Sequence, residues 1–151
     1  MKSGFVKQTL RALRHKNYRL FFTGQSLSLI GTWMQSVALG WLVYRLTDSA
    51  FLLGLVSFAS QIPTFVFASF AGVLADRYNR HKIIITTQSL AMIQAFILAY
   101  LTLSHSIEIW HIVALSLFSG LINAFDMPTR QSFVIDMVDD RNDLPNAIAL
   151  N

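Results

Sequence analysis

The chain has 151 residues, 54% of them hydrophobic, a mean hydropathy of +0.49 and a formal net charge of +4 from 12 basic and 8 acidic residues. A water-soluble helical bundle needs charged residues on the outward face of each helix, yet the stretches Leu20 to Tyr44, Phe51 to Ala75, Ile83 to Ile107 and Ile109 to Phe125 hold no Asp, Glu, Lys or Arg. With no cysteine, disulfide and thiol chemistry are excluded and the redox compartment is unreadable.

Residues 1–19 are a basic segment carrying Lys2, Lys7, Arg11, Arg14, Lys16 and Arg19. They lead into the first apolar stretch without a small-residue cleavage pattern, so the pair reads as an uncleaved signal anchor. Residues 5–19 are predicted to form a short helix with Phe5, Val6, Leu10 and Leu13 toward lipid and the basic residues toward headgroups. That pattern suits a membrane surface, and no nucleic-acid partner is expected.

A helix rises about 1.5 Å per residue, so roughly 20 apolar residues cross a hydrocarbon core of about 30 Å. Four transmembrane helices are therefore predicted within residues 20–125, at about 20–44, 51–75, 83–104 and 109–125. The fold class is an all-α membrane protein, and its first partner is the lipid bilayer. The fourth stretch is the shortest and places Glu108 and Asp126 near the two interfaces.

Polar residues recur on helical faces. Gln25, Ser28, Thr32 and Gln35 share one side of the first helix, Ser57, Gln61 and Thr64 one side of the second, and Ser116, Gly120 and Asn123 one side of the fourth. An amide in lipid is costly without a partner, so these stripes are expected to face protein or a water-filled cavity. Interhelical hydrogen bonding alone is the plainer alternative. Gly24/Ser28 and Ser36/Gly40 are small-xxx-small pairs suited to close packing, and Pro63 is placed to kink the second helix.

Orientation follows from the Lys and Arg count near the membrane. Six precede the first helix, Arg45 alone follows it, Arg77, Arg80 and Lys82 separate the second and third, and none lies between Ser104 and Glu108. A cytoplasmic N-terminus places all but Arg45 inside, with both ends of the chain on that side. Trp41, Tyr44, Tyr100 and Trp110 then fall at the outer interface, where amphipathic rings settle.

The turn between the second and third helices reads Gly72-Val-Leu-Ala-Asp76-Arg77-Tyr-Asn79-Arg80-His81-Lys82. Such a tight turn favours residues tolerant of unusual backbone angles, and Asn79 is expected to fill that role. Asp76 is expected either to cap the third helix or to pair with Arg77 or Arg80, and Gly72 to admit a neighbouring helix. Composition alone reads these as ordinary positive-inside residues.

This string resembles the loop motif of the major facilitator superfamily, G-x-x-x-D-R-x-G-R-R-K, matched at Gly72, Asp76, Arg77, Arg80 and Lys82, with Asn79 and His81 departing from it. Gly31-Thr-Trp33-Met-Gln35, Trp41-Leu-Val-Tyr44-Arg-Leu-Thr47, Gln61-Ile-Pro63 and Pro128-Thr-Arg130-Gln131 are similar to the enterobactin-exporter-like branch of drug and siderophore exporters. The resemblance implies a fold of twelve helices in two halves, of which this chain supplies the first four. It also implies that the turn motif switches conformation, and that Gln25, Ser28, Thr32, Gln35, Ser116, Gly120 and Asn123 line a central pathway for a small amphipathic substrate. The remaining helices would then be partners in cis or in trans.

Proton-coupled transporters usually need an ionisable group at membrane depth, and these four stretches offer none. Many relatives carry Asp where this chain has Thr32, and other exporters of the superfamily carry an arginine in helix four that is missing here. Coupling would thus rest on Asp126 or on residues beyond Asn151. His105, Glu108 and His111 are spaced H-x-x-E-x-x-H, but in the outer loop this reads as a polar turn and no metal site. No nucleophile–base pairing or phosphate-cradling glycine loop is seen, so neither enzymatic activity nor a cofactor is expected.

Residues 126–151 change character, with acidic and basic residues beside Pro128 and Pro145. They are predicted to form a cytoplasmic loop, helical around Phe133 to Val138, and Leu144 to Asn151 to open a fifth helix near Pro145. A truncated or split transporter is the expectation this ending suggests. The functional alternatives are an exporter working by alternating access and a non-transporting tetraspan subunit or fragment.

Overall fold

A computed structural model of the chain describes residues 16–136 in backbone and 19–133 in side chain. Among the described residues there are four helices: α1, Lys16–Thr47; α2, Ala50–Arg77; α3, Arg80–Leu103; and α4, Ile109–Asp136. Each contains a segment long and apolar enough to cross a membrane: Arg19–Thr47, Ala50–Arg77, Arg80–Leu103 and Ile109–Phe133. The expected amphipathic helix over residues 5–19 and the fifth-helix start at 144–151 lie outside the described residues, apart from the first residues of α1.

Short turns force successive helices to reverse direction. Asp48, at φ 47°, turns α1 into α2, and the Ser49 side chain then accepts from the Leu52 N–H at 3.3 Å as the N-cap of α2. After α3 the turn is made at His105, φ 55°, whose N–H bonds the Thr102 carbonyl at 3.2 Å while the Ser106 N–H reaches Leu101 at 3.0 Å. These two bonds satisfy carbonyls that the end of a helix leaves open.

Two sequence expectations change at the remaining turn and at α4. Asn79 keeps an ordinary negative φ of −65°: its contribution is the side chain, which accepts from the Lys82 N–H at 3.2 Å and caps α3. Asp76 therefore does not cap α3, and pairs instead with Arg80 at 3.5 Å. The second change is the end of the fourth helix, which does not stop at Phe125 but runs through Pro128 to Asp136. Asp126 and Arg130 lie one turn apart and neutralise each other inside it, and a membrane helix accommodates an internal proline when neighbours re-satisfy its backbone.

The polarity of the fold is inverted relative to a protein in water. Phe51, Phe58, Phe65, Phe70, Phe96 and Leu103 are exposed, whereas Thr87, Gln94, Ser116, Asp126 and Thr129 are buried. An apolar exterior around polar interior contacts is stable only where the surroundings are themselves apolar.

Among the described residues, 36–130 form one compact unit, and 16–35 with 131–136 belong to another. In the larger unit, Val43 of α1, Val56 of α2 and Ile112 of α4 form a buried cluster, with Leu39, Leu52, Leu53 and Ile109 against it. In the other, the rings of Phe21 and Phe133 meet edge to face with centroids 5.9 Å apart.

Candidate functional site

The turn motif sits where the sequence places it, between α2 and α3. The Tyr78 N–H bonds the Leu74 carbonyl at 3.0 Å and ends α2, and Asn79 begins α3 immediately. Within this turn Arg80 spans the junction, its Nε on the Ala75 carbonyl at 3.4 Å and its Nη2 at Asp76. The Asp76 side chain is 72% exposed, so the pair is a surface contact. Arg77 and Lys82 are also exposed. Beyond its own turn of α2, nothing in the described structure comes within 4 Å of a Cβ placed on Gly72, so the close helix approach expected there is absent among the described residues.

On α1, Gln25, Ser28 and Gln35 are half-buried and Thr32 is exposed, with its hydroxyl turned back to the Ser28 carbonyl at 3.0 Å. On α4, Ser116 is buried with a hydroxyl that finds no hydrogen-bond partner among the described residues, and Asn123 is exposed. Gly120 is a packing position. A Cβ there would collide with the Ser60 carbonyl and stand 3.0 Å from Pro63 Cδ, and Thr64 Oγ1 donates to the Gly120 carbonyl at 3.1 Å. Backbone of α4 thus rests directly on α2, the arrangement that small residues permit.

The most elaborate polar cluster lies on the other side of α4. The Asp126 side chain is 3% exposed. Its Oδ1 accepts from Thr87 Oγ1 at 2.7 Å and from Gln88 Nε2 at 3.2 Å, both on α3, while Oδ2 is paired with Arg130 Nη2 one turn further along α4. Deep burial makes an unpaired carboxylate expensive, and here two neutral donors and a guanidinium offset that cost. About two turns away along α3, buried Gln94 makes a longer contact, 3.5 Å, to the Leu115 carbonyl. Beside the cluster opens a groove of about 590 Å³ lined by Leu74 and Tyr78 of α2, Thr87 and Leu90 of α3, and Phe118 and Ile122 of α4.

Of this cluster, the sequence points to Asp126 as a candidate for coupling and to Arg130 only as part of the Pro128-Thr-Arg130-Gln131 resemblance. The signal for Arg130 is the i, i+4 acid–base spacing it makes with Asp126. Thr87 and Gln88 carried no such signal, since short polar residues in a membrane helix gain meaning only from what they face.

At the loop between α3 and α4, Glu108 accepts the Trp110 indole N–H at 2.6 Å and its own N–H donates to His111 Nδ1 at 3.1 Å. These residues close a turn. Among the described residues no group of three His, Cys, Asp or Glu side chains is gathered as a metal would require.

Comparison with known proteins agrees with this architecture. The model of the transmembrane secretion effector family matches residues 7–151. The staphyloferrin A transporter of Staphylococcus aureus (strain NCTC 8325 / PS 47) is 30% identical over 122 residues, covering 80% of this chain and 31% of that protein. Macrolide efflux protein A of Streptococcus pyogenes is 27% identical over 119 residues, covering 76% of this chain and 29% of that protein. The chain thus spans less than a third of the length of these relatives. No solved structure matches it. With four membrane-length helices joined as the first part of a major facilitator fold and a family match over nearly its whole length, this multi-pass membrane chain belongs to the transmembrane secretion effectors of the major facilitator superfamily.

Proposed function

We propose that the chain forms the first four helices of an exporter of small amphipathic molecules, siderophore or drug, working by alternating access with both of its termini in the cytoplasm. The match to the transmembrane secretion effector family across residues 7–151 carries this reading. The two kinds of relative, one named for a siderophore and the other for macrolide efflux, set the substrate classes to test. In this reading Gln25, Ser28, Thr32, Gln35, Ser116 and Asn123 face the pathway once further helices enclose it, and Gly120 holds α4 at the right depth beside α2. The unpartnered Ser116 hydroxyl supports this, because a buried donor without a partner is costly and a water or substrate would relieve it.

The turn residues Gly72, Asp76, Arg77, Arg80 and Lys82 take the switching role. Asp76 is exposed and weakly held, so its carboxylate is available to the positive N-terminal end of a helix from a second half, an attraction of about 0.3–1 kcal/mol at a surface and more when partly buried. Such a contact forms only when the cytoplasmic side is closed and so biases one of the two states.

The test is efflux of a macrolide and of staphyloferrin A from vesicles carrying the chain alone and the chain joined to the remainder of a relative. The joined protein is expected to export at least one of them and the chain alone neither. Asp76→Asn in the joined protein is expected to slow export while leaving equilibrium affinity within a few fold. Export by the chain alone, or loss of binding on Asp76→Asn, would contradict the assignment.

A further inference from the structure

Thr87 Oγ1 lies 2.7 Å from Asp126 Oδ1 on α4 and 3.0 Å from the Ile84 carbonyl on its own helix. A hydroxyl has one proton to donate, so it serves one of these acceptors at a time. Asp126, for its part, divides its two oxygens between helices, Oδ1 to α3 and Oδ2 to Arg130 on α4. If α3 moves away, the Thr87 hydroxyl turns to Ile84 and Asp126 keeps Arg130. Neither leaves a charge or the hydroxyl proton stranded in a low-dielectric setting, which is the usual obstacle to opening a buried polar contact.

We infer that Thr87 and the Asp126–Arg130 pair form a releasable latch, built so that the turn-motif end of α3 can part from α4 while α2 and α4 stay locked. Three further observations support the asymmetry. The groove that Thr87 lines leaves open space beside the turn-motif end of α3, between it, the end of α2 and the facing stretch of α4. Gln94 bonds α3 to α4 about two turns away and supplies a pivot. At Gly120, by contrast, the α4 backbone rests on the Ser60 backbone of α2, with Thr64 bonded across to the Gly120 carbonyl, so the contact is held by close packing and has no open space beside it. The latch is a property of these helices in lipid and stands whether or not the exporter reading holds.

The chain contains no cysteine, so spin labels can be placed singly. Ile85 on α3 and Met127 on α4 are exposed and report the latch; Phe58 on α2 and Leu117 on α4 are exposed and report the locked contact. Pulsed dipolar distance distributions are measured for each labelled pair in lipid vesicles holding the intact 151-residue chain. The 85/127 pair is expected to show a short population and a minor longer one, and Thr87→Val to raise the longer one roughly five- to tenfold. Thr87→Ser, which keeps the hydroxyl, restores the original balance, and the 58/117 distribution stays unchanged throughout. Should Thr87→Val fail to fold, Gln88→Leu, which removes the second donor from α3, is read by the same criteria. An 85/127 distribution indifferent to these changes, or one that broadens in step with 58/117, would overturn the latch.

Discussion

Helix α4 touches its neighbours in two chemically opposite ways. Against α2 the contact at Gly120 is made of backbone and small groups, tight because nothing projects between the helices. Against α3 the contact at Asp126 is made of polar side chains around an ion pair, with an open groove alongside. The first kind of contact tolerates no added atom, and the second no lost charge. A membrane protein without a hydrophobic driving force between helices uses both, packing for fixed joints and hydrogen bonds where geometry has to be specified.

The comparison breaks most severely at the ion pair. Replacing Arg130 with Gln leaves the Asp126 carboxylate, 3% exposed, with neutral donors only, and is expected to destabilise the chain by about 3–5 kcal/mol, the usual result of removing one member of a buried pair. Asp126→Asn should cost less, because the Arg130 side chain is 21% exposed and can extend toward the headgroups. Unfolding in mixed micelles measures both; equal and small effects would place the pair at the surface. At the other contact, Gly120→Ala is expected to cost about 1–3 kcal/mol by overpacking against Ser60 and Pro63. Gly72→Ala, with open space around it, is the matched control and should be neutral or stabilising by roughly 0.5–1 kcal/mol in the chain alone. If the two glycines respond alike, the Gly120 contact does not have the tightness assigned to it.

Much of the fold was legible because the bilayer imposes a simple rule: a long run without charge must cross it as a helix. That rule located α1, α2 and α3 to within a few residues, and the turn motif with them. It does not reach the end of α4, which carries Asp126 and Arg130 within the helix and runs on to Asp136. Whether Asp126 and Arg130 are an interface or a buried pair depends on α3, and a single-helix reading contains no α3. Gly120 shows the complementary limit: polar periodicity assigned it to a cavity stripe, but a glycine has no side chain to point, and its face is decided by which helix presses on it. Asn79 is expected at its turn for backbone tolerance but keeps φ −65° and acts through its side chain as an N-cap; the left-handed non-glycine positions among the described residues, Asp48 and His105, belong to the other two turns.

The proposed function has these four helices crossing the membrane with the turn motif and both chain ends inside. Single cysteines at Tyr78 and at Ser106, both exposed in turns, test it most directly in intact cells with a membrane-impermeant maleimide. Labelling of Ser106→Cys from outside, with Tyr78→Cys labelled only after the membrane is opened, is the predicted result. Labelling of Tyr78→Cys from outside, or of both from the same side, would contradict the four-helix orientation and the switching role given to the turn.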